Sequence, residues 1–112
     1  MIKTTEKKFS IHLHNIIWST DDQKNKELWD VEGILKNRLN QKFKFDLRPI
    51  KNNMKIGSFK TKADKMVFDM GDTWVIVDIE ELHTYIRTNK LKDLHLEDLI
   101  SKLEWNIIIS KK

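Results

Sequence analysis

The chain has 112 residues, 39% of them hydrophobic, four tryptophans and no cysteine. One domain spanning residues 1–112 is expected, with no disulfide framework, thiolate metal site or thiol nucleophile. No apolar run approaches the roughly 18 residues of a membrane span, and Met1–Lys8 lacks the apolar core of a secretory signal, so a cytoplasmic protein is expected. The net charge of +4 is unevenly spread: residues 36–65 carry ten Lys/Arg against two Asp/Glu, and residues 66–105 carry four against nine.

In chain order, Phe9-Ser10-Ile11-His12-Leu13-His14 alternates apolar and polar, which predicts a half-buried strand continuing to Trp18. Ser19-Thr20-Asp21-Asp22 offers N-cap chemistry, and Leu28, Val31, Leu35 and Leu39 then form one stripe of a helix running to Leu39, with Glu32 on its flank. Lys42-Phe43-Lys44-Phe45-Asp46-Leu47 alternates again and predicts a strand closed by Arg48-Pro49. After a basic connection over residues 50–62, two strands follow around Gly71-Asp72. Leu82, Tyr85 and Ile86 share a helix face that ends near Asn89. A second helix is expected over 93–104, and Trp105–Ile109 reads as a strand buried on both faces. The expected fold is therefore α/β or α+β: a small mixed sheet of about five strands flanked by two to three helices, in the order β-α-β-β-β-α-α-β.

The segment Ala63–Leu82 carries the chemistry. Asp64 lies near the start of one strand, with Asp78 and Glu80 at the end of the next. Carboxylates gathered at a sheet end suit a hard divalent cation such as Mg²⁺, which lowers the pKa of a bound water and offsets charge on a phosphate under attack. From the first helix onward, this element order resembles the core of the PD-(D/E)XK nuclease superfamily. The resemblance implies that Glu32 (or Glu27) is the helix Glu, Asp64 the first metal ligand and Asp78 the second. Ala63 stands where that family has Pro, and Glu80 where it has Lys, so either Lys62 or Lys65 polarises the phosphate or hydrolysis is lost. It further implies a Mg²⁺-dependent endonuclease, with Asp64, Asp78, Glu80 and Glu32 at the catalytic centre, or a junction-binding protein.

The turn tests this assignment. A two-residue turn at Gly71-Asp72 pairs Asp78 with Lys65 and Asp64 with Ile79, which sends the two aspartates to opposite faces. A three-residue loop, Met70-Gly71-Asp72, puts Asp64 across from Asp78 with Glu80 on the same face. Gly followed by Asp favours the two-residue turn.

The basic middle is the sequence pattern of a phosphate-tracking surface, with Lys42, Lys44, Arg48, Lys51, Lys55, Lys60, Lys62 and Lys65 as the contacts. The plainer reading is a set of solvated strand edges. The expected partner is nucleic acid. The alternative is a non-catalytic binding or inhibitor protein belonging to a mobile element or phage and acting on a host protein, with an exposed Trp29 as the contact; a homodimer is also among the expected assemblies. His12-Leu13-His14 with Tyr85 has the residue types of HUH endonucleases, but that strand comes first here, and Tyr85 shares the apolar face of its helix. His83 and His95 are expected to face solvent. Ser10, Ser19 and Ser101 lack a nucleophile elbow, and the three glycines stand apart, so no phosphate loop is present.

Overall fold

In the computed structural model, which describes residues 4–36, 40–48, 53–55, 61–91, 93–95 and 101–111, the chain begins with helix α1 (Thr4–Ser10). A tight turn, with the His12 N–H donating to the Phe9 carbonyl at 3.0 Å, leads into strand β1 (Leu13–Trp18). Phe9 and Leu13 are both buried, whereas Ile11 between them is 62% exposed. The strand expected to start at Phe9 therefore starts at Leu13.

Helix α2 (Asp21–Glu27) opens with a capping box. The Gln23 N–H donates to Thr20 Oγ1, and the Thr20 N–H donates to the Gln23 side chain. It ends at Leu28, whose φ of 67° is left-handed. The expected helix to Leu39 is thus seven residues long, and strand β2 (Val31–Leu35) follows it. Val31, Gly33 and Leu35 alternate inward with Glu32 and Ile34 half-buried, which is period two rather than 3.6.

Strands β3 (Lys42–Arg48), β5 (Lys65–Asp69) and β6 (Thr73–Asp78) and helix α3 (Ile79–Thr88) match the sequence expectation closely, as does β8 (Asn106–Ser110). Residues 93–95, expected to open a helix, form strand β7, which pairs with β4 (Asn53–Lys55) in a separate two-stranded sheet. The remainder of that expected helix lies mostly outside the described residues.

The main sheet has six strands rather than five, ordered β1-β2-β3-β5-β6-β8 and open at both ends. Among the described residues of this sheet only the β3–β5 pairing is parallel. Buried side chains form one core on each face of the sheet. Phe9 of α1, Phe45, Val67, Trp74 and Ile76 fill one; Met66, Phe68, Val75 and Val77 meet Leu82 and Ile86 of α3 in the other. β5 and β6 are the strands buried on both faces. β8 is an edge strand with Ile108 46% exposed, so it is not buried on both faces as expected. Among the described residues no helix is long and apolar enough to cross a membrane.

Candidate functional site

The β5–β6 turn has two residues. The Met70 N–H donates to the Thr73 carbonyl at 2.9 Å, and Gly71 takes φ 86° at the first central position. Register follows from the turn: Lys65 pairs with Asp78, Met66 with Val77 and Phe68 with Val75. Side chains alternate along a strand, so Asp78 shares a face with Lys65 and Asp64 belongs to the other.

Both carboxylates have partners within the fold. Asp64 closes the β3–β5 junction: its N–H donates to the Lys44 carbonyl and its Oδ2 accepts from the Lys44 N–H, each at 2.8 Å. Asp78 Oδ1 receives the Lys65 ammonium at 2.6 Å, and Oδ2 caps α3 by accepting from the Glu81 N–H at 3.0 Å. Burial pushes the Asp78 carboxyl up, but the bonds from Lys65 and Glu81 and the Lys65 charge outweigh it and hold the group below the ordinary aspartate value. Lys65 itself is 6% exposed. Its ammonium lies 3.9 Å from the Trp105 ring centroid and 4.5 Å from that of Phe43. Glu81 completes the enclosure by accepting the Glu104 and Trp105 N–H groups at 2.9 Å each.

A cleft of about 470 Å³ wraps around this end of the sheet, bordered by Lys42, Asp64, Lys65, Asp78, Glu80 and His83 among others. Asp64 and Asp78 both border it, yet they approach from opposite faces. Glu32 lies on β2 rather than on a helix, opposite Lys44, so it does not join them. Glu27, the other candidate, ends α2 and accepts from Trp29 Nε1 at 2.8 Å. Among the described residues no three His, Asp or Glu side chains form a group able to hold a metal ion. Of the carboxylates that the resemblance assigns to a Mg²⁺ centre, Asp64, Asp78 and Glu80 border this cleft, with Asp78 bound to Lys65, and Glu32 lies apart on β2.

The basic residues divide in the same way. Lys65 is buried against Asp78, and Arg48 forms a two-pronged bond to Asp46 through Nε at 2.9 Å and Nη2 at 2.8 Å. Lys51 and Lys60 lie outside the described residues, as does the side chain of Lys55 in β4. Lys42 and Lys62 are exposed, and half-buried Lys44 holds its ammonium 5.2 Å from the Trp29 ring centroid. Trp29 is only 1% exposed, so the expected exposed anchor is a core residue. His12 sits in the turn before β1 and His14 within the strand, so the two imidazoles do not share a strand face.

One surface was not anticipated. The pairings Ile17–Glu32–Lys44 and His14–Ile34–Lys42 form two cross-strand rows on one face of β1, β2 and β3. This is the α3 face of the sheet, but the buried residues of α3 meet those of β5 and β6. The rows stay accessible: His14, Ile17 and Lys42 are exposed, and Glu32, Ile34 and Lys44 are half-buried. The Lys42/Lys44 alternation was visible in sequence, but the helix expected from the Ser19–Asp22 cap to Leu39 hid the neighbouring rows.

The geometry defines a mixed α/β protein with an ion-paired sheet end and, among the described residues, a part-exposed sheet face over β1–β3. In comparisons with known proteins, no family model, curated protein or solved structure matches the chain.

Proposed function

We propose that the protein binds nucleic acid without cutting it, receiving the phosphate backbone on the open face of β1–β3. The observation that carries this reading is that Lys42 and Lys44 project from one face of β3, over strands that α3 leaves uncovered. Residues two apart on a strand are about 6.7 Å apart along the chain, so the two ammonium groups can meet phosphates along one strand. Exposed Lys62, two residues before the Asp64 that bonds to the Lys44 backbone, adds a third cation. Ile17 and Ile34 supply apolar contact area between the charges, and His14 extends the row to the sheet edge.

Binding without hydrolysis is supported by the commitments of the carboxylates. Asp78 neutralises Lys65 and caps α3, while Asp64 fastens β5 to β3. Asp78 thus has both oxygens engaged, Oδ1 by an ammonium and Oδ2 by an amide, and Asp64 stands on the other face.

Fluorescence anisotropy with labelled single- and double-stranded DNA and RNA oligonucleotides tests the proposal. Affinity is expected to fall steeply with rising salt, and the oligonucleotides should stay intact in Mg²⁺ or Mn²⁺. Absence of binding at low salt would refute the nucleic-acid reading; cleavage would refute the non-catalytic one.

A further inference from the structure

The main sheet ends in two edges of different construction. β1 carries a register shift between His14 and Ile17, with Asn15 at φ 53°. A bulge of this kind twists an edge away from further pairing. β8 is regular throughout its five pairs with β6 and contains no charged residue. The Lys111 N–H donates to the Asp72 carbonyl at 3.0 Å, which continues the ladder from Ile109–Trp74. In an antiparallel ladder, hydrogen-bonded and non-bonded pairs alternate. Ile107, Ile109 and Lys111 therefore bond toward β6, while Ile108 turns its N–H and C=O outward, away from the sheet. Among the described residues no strand pairs on that side.

We propose that β8 pairs antiparallel with β8 of a second copy, about a two-fold axis through Ile108. The strand Asn106-Ile107-Ile108-Ile109-Ser110 has the same chemistry in both directions: polar, three isoleucines, polar. Pairing about Ile108 sets Ile107 against Ile109 and Asn106 against Ser110 of the second copy, so apolar and polar positions match themselves. At the flanks, Glu104 precedes the strand and Lys111 follows it, with the Lys111 ammonium held by Asp69 of its own copy, so the two-fold sets no like charges against each other. Ile108, 46% exposed beside Val75, meets its own equivalent and is covered. The contact uses the same strand from both copies, so assembly closes at two and leaves the bulged β1 edges outermost. Five residues span about 17 Å, which makes a modest interface and a dimer that dissociates on dilution.

Sedimentation equilibrium at about 100 μM, a concentration that populates dimers with micromolar Kd, should give twice the monomer mass. Ile108→Pro removes an outward N–H and leaves the β6 ladder intact, and Ile108→Lys puts a charge on the axis; either should return the mass to that of a monomer with an unchanged circular dichroism spectrum. A third variant works on an otherwise native chain. Because the protein has no cysteine, Ile108→Cys should form one intermolecular disulfide on mild oxidation, since opposed hydrogen-bonded residues lie about 5.5 Å apart, within disulfide range. Ile17→Cys, on the bulged edge, should stay largely reduced under the same conditions. A monomeric wild-type protein, a dimer that survives both Ile108→Pro and Ile108→Lys, higher polymers, or equal cross-linking at the two edges would overturn the proposal.

Discussion

Lys65 and Asp78 stand directly opposite each other in the β5–β6 ladder, and their side chains meet at 2.6 Å beneath the Trp105 ring. The pair links three parts of the molecule: the sheet end, the first turn of α3 and the approach to β8. Asp78 holds both Lys65 and the Glu81 N–H, and Glu81 in turn holds the Glu104 and Trp105 amides.

Removing the acid should therefore be costlier than removing the base. Asp78→Ala leaves a buried ammonium without its counter-ion and α3 without its cap. Together these should lower the unfolding free energy by about 3 kcal/mol. Asp78→Ser restores a cap but not the ion pair, and should recover about 1 kcal/mol of that loss. Lys65→Met keeps an apolar stem under Trp105 and leaves an aspartate still bonded to the Glu81 N–H, for a cost of about 1 kcal/mol. Urea unfolding followed by tryptophan fluorescence would measure all three; equal losses for Asp78→Ala and Lys65→Met would contradict this account.

Stability should respond to pH in two opposite ways. Asp78 and Asp69 have carboxyls held below the ordinary value of 3.8. For Asp69, burial pushes upward, but the Lys111 and Gly71 bonds and the Lys111 and Lys8 charges outweigh it. Their stabilisation is complete above the unfolded-state value and is lost as pH falls through their lower folded values, which steepens acid unfolding below about pH 4. Asp30 runs the other way. Burial raises it first; the Leu47 N–H bond opposes, and the Asp46 and Glu6 charges raise it further against the Lys24 charge. Its contribution is present below the unfolded value and is lost as pH rises through the higher folded one. Asp30→Asn retains an oxygen for the Leu47 amide, so the variant should become more stable relative to wild type as pH rises from about 4. A difference that is constant across that range would count against it.

How much of this was legible in the sequence depended on spacing. β3, β5, β6 and α3 were readable because alternation or helical stripes ran through whole elements, and the Gly71-Asp72 turn favoured the register that is found. Two boundaries were misread for one physical reason. Residues four apart lie on the same side of both a helix and a strand, so Val31 and Leu35 fit either template, as do Phe9 and Leu13. Gly33 carries no side chain to mark the alternation, and Ile11 is exposed although it matches its neighbours in character. At the candidate site the carboxylates were identifiable, but their separation onto two faces depended on one turn. The Trp105 cover over Lys65 brings together positions 40 residues apart and left no local signal.

The open face makes a quantitative prediction. Lys42→Ala and Lys44→Ala should each weaken oligonucleotide binding and flatten its dependence on salt. Each lost phosphate contact reduces the slope of log K against log salt by about 0.9 for duplex DNA, or about 0.7 for a single strand. Lys65→Met serves as the internal control, because its ammonium is already buried against Asp78, and should leave the slope unchanged. If Lys65→Met lowers the slope as much as Lys42→Ala, the contact surface is the cleft rather than the β1–β3 face.

Two glycines should fail for different reasons when replaced by alanine. A Cβ at Gly33 would meet the His14 carbonyl oxygen at 3.0 Å and Leu13 Cβ at 3.2 Å, both on neighbouring β1, so the edge strand must shift outward. Crowding of this kind costs about 1–3 kcal/mol. At Gly71 nothing lies within 4 Å of the added carbon, but φ of 86° is strained for an L side chain, at about 1–2 kcal/mol. The totals overlap, so amide hydrogen exchange separates the two. Gly33→Ala should reduce protection of the β1–β2 amides ahead of the rest of the sheet, and Gly71→Ala should act at the β5–β6 hairpin. Equal, global loss of protection in both variants would mean that β1 is not the strand that gives way.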